Sequence, residues 1–563
     1  MSNSLFLRFR LPLFLVLLLL GGLFFTVAAQ AAEGKAGIAS AHPLATEAGM
    51  AILNQGGNAF DAAITVAAVL AVVEPYSSGM GGGGFWMLHR AKDGMEVMLD
   101  GRERAPLAAH RDLYLDQQGE VIPGLSVNGP LAAGIPGQPA ALAHLALLYG
   151  RLSLSQTLAP AIHLAREGFP VDEHYRRMAQ WRLAQLQRWP GAQNQFLQQG
   201  VVPVAGHLLK QPDLADTLMQ MAEQGHDGFY RGGVAERLVN GVREAGGIWT
   251  LDDLAQYRIM ERKPIRGEYR GMTITSAAPP SSGGIVLLSM LNQLAQFKLE
   301  KLPSLEQKHL IIEVMRRAYR DRAEYLGDPD FVSIPVKRLI DTDYAAGLTR
   351  SIQLDAATPS RVTPPHDYAE GRDTTHYSIV DAEGNRVSAT LSINYPFGSC
   401  FVVPGTGILL NDEMDDFSAR PGTPNVYGLV GGEANAIAPG KRMLSSMTPT
   451  FVETEAGVAV LGTPGGSRII SMLLHGVLAL AEGKDPVEWV SRPRYHHQYL
   501  PDEVQFEPEA LTPQEQQQLN ALGHKLKPLD SSYGNMQALF WDKKSGRVSG
   551  ASDPRGLGKT VVQ

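Results

Sequence analysis

At 563 residues, 44% of them hydrophobic and 19% charged, the chain has an ordinary globular composition with ample material for a buried core. Its formal net charge of −7 comes without a basic stripe, which excludes a surface built for nucleic acid or anionic lipid. Cys400 is the sole cysteine, so no disulfide can close within the chain; with no basic neighbour in sequence it reads as a small buried hydrophobe.

The first residues stand apart. Arg8 and Arg10 give a basic start, Leu11 to Val27 is a continuous apolar run, and Ala29-Gln30-Ala31 is a small-x-small site. That pattern is a secretory signal peptide, residues 1–31, whose Ala-rich end favours cleavage over retention as a membrane anchor. No Cys follows the run, so no lipid anchor is expected, and Arg8-Phe9-Arg10 is no adjacent arginine pair. Removal leaves 48 basic and 57 acidic residues, a mildly acidic mature chain.

Length alone would allow three or four domains, yet no internal repeat appears. Gly56 to Ala63 opens a small-residue helix that runs through Ala and Val to Glu74-Pro75, the pattern of a buried core helix. Gly79 to Gly84, a glycine run that permits close backbone approach, precedes a strand at Phe85–Leu88. Residues 135–350 are expected to be mostly helical, with one long amphipathic helix over Glu306–Leu326 stopped by Gly327-Asp328-Pro329. Short strands dominate from Thr374 onward, interrupted by helices near Arg468–Glu482 and Pro513–Leu522. A layered α/β sandwich accommodates this mixture.

The most informative junction lies at Asp373-Thr374. Residues 355–373 hold three prolines, several charges and almost no large apolar side chain, so they form a tether that cannot bury enough surface to order itself. Thr374 to Val380 is β-like immediately afterwards. A tether running into a strand headed by Thr suggests a nucleophile made by cutting the chain before it. A terminal Thr carries hydroxyl and α-amine together, and an amine titrating near 7.7–8.0 can take the hydroxyl proton at neutral pH. If the loop Asp381–Asn385 closes a hairpin, Thr374 falls opposite Ser392, close enough for contact between hydroxyls, with Asn394 just beyond.

Three further loops carry polar groups. Leu444 to Pro449 precedes a strand at Phe451-Val452. Gly462 to Arg468 leads into a helix, where a Gly-Gly turn can present N–H groups to an oxyanion or merely make a tight connection. Asn411 to Asp416 is an acidic cluster able to hold a metal or an ammonium group, or to be a solvated face.

Taken together these residues resemble the γ-glutamyltranspeptidase family over nearly all of the mature chain. The matching runs are Gly56–Ala63, Gly101–Pro106, Leu326–Phe331, Thr374–Ser378, Gly407–Ser418, Leu444–Pro449 and Thr463–Arg468. The resemblance implies an α+β fold, the four-layer αββα sandwich of N-terminal-nucleophile hydrolases, made as a precursor that cuts itself into a large subunit, 32–373, and a small one, 374–563. Thr374 would be both the autoprocessing residue and the nucleophile, hydrogen-bonded by Ser392. Arg102 would hold the donor α-carboxylate with Ser445 and Ser446. Asn394, Glu413 and Asp416 would hold the α-ammonium, and Gly465 and Gly466 would form the oxyanion hole. The acidic cluster then needs no metal, and no cofactor is implied. Glutathione and other γ-glutamyl compounds would be donors; water, amino acids or dipeptides would be acceptors.

Departures from the family pattern fall around the pocket. Ser392 stands where Thr is common, Glu413 where Gln or Glu occurs, Gly101 where Phe is usual, and Tyr395-Pro396 where small residues follow the Asn. Arg420–Lys441, with Tyr427 in it, is similar to the lid loop of some bacterial members. A cephalosporin or glutaryl acylase on the same fold is the rival reading, and a non-catalytic periplasmic binding protein for γ-glutamyl peptides is another. Gly556-Leu557-Gly558-Lys559-Thr560 imitates the end of a phosphate-binding loop, but the motif's first Gly falls at Asp553 and too little chain follows for a helix. His496-His497 lacks the helical spacing of a zinc pair, and no Gly-x-Ser-x-Gly elbow is present.

Overall fold

The computed structural model describes residues 34–360 and 374–563. The expected signal peptide and the downstream end of the tether, Asp373 included, lie outside the described residues. The description below concerns the unit that begins at Ala32.

A seven-stranded antiparallel sheet holds the centre, in the order Lys559–Val562, Gly37–Ser40, Thr375–Val380, Arg386–Ser392, Gly83–Arg90, Met95–Gly101 and Met260–Arg262. Side chains alternate across it as a pleat requires. Trp86, Leu88, Tyr377 and Ile379 pack beneath the helices Pro43–Asn54 and Ala59–Val73. Phe85, Met87 and Val380 face the other way, into a core shared with the second sheet. That sheet has six strands, ordered Val548–Ser552, Gln537–Asp542, Gly457–Gly462, Thr450–Glu453, Met272–Ser276 and Ile265–Tyr269. Helices Gly283–Leu294, Ser304–Tyr325 and Ile469–Ala481 cover its outer face. The result is the expected αββα sandwich.

The helix Ala59–Val73 is buried along its whole length, and its start is fixed chemically. Asn58 accepts from the N–H groups of Phe60 and Asp61, while Asp61 accepts from the N–H of Asn58, a reciprocal cap. An additional helix, Pro43–Asn54, precedes it and was not anticipated. The stretch expected to be mostly helical also contains three strands between Met260 and Ser276. Two of them complete the second sheet, where pairing with Thr450–Glu453 outweighs weak local patterning. The long helix runs Ser304–Tyr325, close to its expected bounds.

The hairpin at the centre has the register expected from its loop. Val380 pairs with Arg386 and Thr375 with Leu391. Asp381 fixes the turn by accepting from the N–H groups of Glu383 and Asn385, and Gly384 supplies the left-handed residue at φ 87°. Between the sheets the packing is partly polar. His376 donates or accepts at Thr390 and Ser378, and Ser388 donates to the Leu461 carbonyl. Burial pushes the His376 pKa down to about 3, so the ring is neutral, and it occupies the space where a side chain at Gly462 would stand.

Candidate active site

Continuing the hairpin register by one residue sets Thr374 against Ser392, and their hydroxyl oxygens lie 3.2 Å apart. Ser392 Oγ also accepts from the Asn394 N–H at 2.8 Å, which fixes its position. Thr374 is 6% exposed and takes φ 110°, a conformation rarely adopted by a β-branched residue. Such backbone strain is of the order of 1–3 kcal/mol.

Thr374 opens onto a small cavity that gathers residues distant in sequence: Arg102, Ser392, Asn394, Glu413, Asp416, Tyr427, Ser445, Ser446 and Gly466. Nine of the ten expected site residues therefore converge with the lid residue Tyr427. Gly465 is the exception, sitting just behind Gly466 at φ 135° with Met472 packed against it. Gly466 has φ 56°, and a side chain there would press on the Tyr427 ring at 3.3 Å. The Tyr427 hydroxyl donates to the Asn394 carbonyl at 2.7 Å, so the loop spanning residues 420–441 lies closed over the site. Tyr395, one of the departures, backs this arrangement, with its ring 5.2 Å from Trp181 and the Arg182 guanidinium 4.9 Å over it. The space beside Gly101 is taken by the Trp86 ring.

The acidic cluster is not a solvated face. Glu413 and Asp415 are buried, and Glu413 and Asp416 both ion-pair with Arg102. Arg102 Nε donates to the Met443 carbonyl at 3.1 Å. Burial opposes the Arg102 charge, but Glu413 and Asp416 outweigh it and hold the guanidinium protonated above its usual range. Glu103 joins them 3.5 Å from Arg102 Nη1, and burial together with Glu413 raises its pKa well above the ordinary value. Burial also outweighs Arg102 at Glu413, whose pKa rises to about 7. Three carboxyls thus surround one guanidinium, and Glu413 Oε1 has no hydrogen-bond partner among the described residues. Arg102 holds carboxylates of its own chain, so an incoming carboxylate would have to displace one of them.

Several neighbours of the site were not anticipated from sequence. Glu103 lies against Arg102, Glu74 bonds Thr375, Arg322 bonds Ser446, and Ser282 bonds the Ser445 carbonyl. Thr375 Oγ donates to Glu74 at 2.7 Å, and burial pushes the Glu74 carboxyl up to about 7. Glu74 and Thr374 border a second small cavity that reaches Gly556 and Leu557. The signal for Arg322 was available: Met315, Tyr319, Arg322 and Leu326 follow helical spacing, and the other three are core residues. A charge on an apolar stripe asks for a partner.

The decoys resolve plainly. Lys559 and Thr560 lie in a strand, not a phosphate-binding loop. His496 is buried against Ser471 and Gln498, and His497 against Asp502. Cys400 is buried, which pushes its thiol up to about 11.

A double-sheet sandwich with a threonine heading a central strand is the architecture of an N-terminal-nucleophile hydrolase. The sequence profile of the family described as gamma-glutamyltranspeptidase matches residues 45–562. A glutathione hydrolase proenzyme of Pseudomonas sp. (strain A14) is 44% identical over 497 residues, covering 87% of this chain and 86% of its own. The glutathione hydrolase proenzyme of Escherichia coli (strain K12) is 42% identical over 527 residues, covering 92% and 90%. Among solved structures, a cephalosporin acylase from Bacillus halodurans matches with a TM-score of 0.84 at 30% identity, over 95% of this chain and 97% of that one. The chain belongs to the γ-glutamyltranspeptidase family.

Proposed function

We propose that this enzyme cuts itself before Thr374 and then uses that residue to open the γ-glutamyl amide of glutathione and related compounds. The observation that carries the reading is the convergence of Thr374 with both signs of charge in one cavity. A γ-glutamyl group presents one ammonium and one carboxylate; this pocket is lined by the Glu413 and Asp416 carboxyls and the Arg102 guanidinium.

In the precursor, Thr374 Oγ attacks the Asp373 carbonyl and the C–N bond breaks as the acyl group moves to oxygen. Water hydrolyses the ester, giving a carboxylate on Asp373 and a free amine on Thr374. The strained φ at Thr374 ceases to exist as a constraint once that bond is cut, which favours the step. The strands Gly37–Ser40 and Gly83–Arg90 flank the hairpin, so the 32–373 and 374–563 pieces share one sheet and stay joined after cleavage.

In turnover the Thr374 amine takes the hydroxyl proton while Oγ attacks the γ-carbonyl. Charge gathers on the carbonyl oxygen beside the Gly465-Gly466 turn. The amine then passes its proton to the departing amine, leaving a γ-glutamyl ester on Thr374. Water or the amine of an amino acid or peptide resolves that ester. Asn394, Glu413 and Asp416 receive the donor ammonium; Arg102, Ser445 and Ser446 receive its carboxylate. The N-terminal sequence assigns the mature enzyme to the periplasm or beyond, and no helix among the described residues is long and apolar enough to cross a membrane.

The likeness to an acylase gives a second reading, turnover of glutaryl amides. A glutaryl group lacks the ammonium that Asn394, Glu413 and Asp416 would serve, so γ-glutamyl turnover is expected to dominate. Comparing γ-glutamyl and glutaryl p-nitroanilides decides between them: faster release from the glutaryl compound overturns the γ-glutamyl assignment.

A further inference from the structure

Arg322, on the Ser304–Tyr325 helix, is 5% exposed and has no carboxylate within ion-pair distance among the described residues. Burial lowers its pKa, and Asp416 nearby pulls the other way. A buried cation left without a counter-ion is unfavourable and calls for a compensating partner. The arginine instead spends its donors on two hydroxyls. Nε donates to Ser282 Oγ at 3.0 Å and Nη2 to Ser446 Oγ at 3.1 Å.

Those bonds fix which way each hydroxyl points. Ser446 Oγ accepts from Arg322, and its proton has no acceptor in the described protein, although Ser446 lines the cavity beside Thr374. Ser282 relays the same constraint. Its Oγ accepts from Arg322 and donates to the Ser445 carbonyl at 2.7 Å, while its N–H bonds the same carbonyl at 2.8 Å. Ser445 Oγ in turn accepts from the Met447 N–H at 3.1 Å, so its proton is likewise unclaimed. Both serines are therefore set as donors toward the cavity, backed by a positive charge that Arg102, engaged with Glu413 and Asp416, supplies less freely.

We infer that Arg322 is a positioning residue that makes the Ser445-Ser446 pair selective for a donor bearing an α-carboxylate, acting through the Ser446 hydroxyl and the Ser282 relay. This rests on the γ-glutamyl reading above. A carboxylate accepts from both hydroxyls and neutralises the buried cation; a carboxamide in its place brings no charge.

The test compares kcat/KM for L-γ-glutamyl-p-nitroanilide with that for the analogue whose α-carboxylate is a carboxamide. Wild type is expected to prefer the carboxylate, and Arg322→Met to shrink that preference by about tenfold to hundredfold, mainly through KM of the carboxylate donor. Arg322→Lys, which keeps the charge, should restore part of it. Ser446→Ala combined with Arg322→Met should lose less than the two separate losses multiplied, because one acts through the other. If Arg322→Met does not fold, Arg322→Lys and Ser446→Ala still read the preference. An unchanged preference in the Arg322 and Ser446 variants, or independent multiplicative losses, overturns the inference. A wild type that ignores the γ-glutamyl compound overturns the functional reading instead.

Discussion

Glu74 allows a signed prediction from burial alone. It caps the end of the Ala59–Val73 helix, where the helix dipole is negative, and its one short hydrogen bond comes from Thr375. A carboxyl held at about 7 against an ordinary 4.5 binds its proton more tightly folded than unfolded. Folding stability from this group is then present at low pH and is lost as pH rises from 4.5 through 7, because the folded chain must ionise a buried acid. At 1.36 kcal/mol per pKa unit, the full loss is roughly 3 kcal/mol above pH 8. Glu74→Gln keeps an oxygen to accept from Thr375 and removes the ionisation. It should match wild type near pH 5 and exceed it near pH 8.5, by an amount on the order of 1–3 kcal/mol. Urea denaturation of both proteins at the two pH values measures this. A variant less stable at pH 8.5 than at pH 5, relative to wild type, would refute the reasoning.

Other expectations follow from the cavity. Ser392→Ala removes the hydroxyl facing Thr374 and the acceptor for the Asn394 N–H, so kcat should fall by about tenfold or more, with Ser392→Thr largely restoring it. Because Glu413 titrates near 7, it loses charge as pH falls below that value, so donor KM should rise on the acid side; Glu413→Gln should flatten that limb of the profile. Gly466→Ala forces an L-residue into φ 56° and pushes on the Tyr427 ring, so steady-state assays should show a lowered kcat with a loosened lid, read as faster exchange of amides in residues 420–441.

The central hairpin was legible because its determinants are local. A five-residue turn with Asp381 and Gly384 sets the register, and register alone brings Ser392 to Thr374. Long amphipathic stretches such as Ser304–Tyr325 were legible for the same reason. The strands Ile265–Tyr269 and Met272–Ser276 were not, since their stability comes from pairing with residues near 450, far along the chain. In the site, the resemblance named Arg102, Glu413 and Asp416 but not that they would pair with one another, a consequence of three dimensions. Ser282 and Arg322 escaped because each bonds to a residue that touches the Thr374 cavity, and Glu74 because it meets the hairpin only through Thr375. No motif marks such a position, although a charge on the buried stripe of a helix was a clue.

The decisive measurement is terminal sequencing and intact mass of the purified active enzyme. Two polypeptides should be found, the smaller starting at Thr374, and Thr374→Ala should yield one uncut, inactive chain. Full activity from a single unbroken polypeptide, or a fragment starting elsewhere, would contradict the assignment of that threonine.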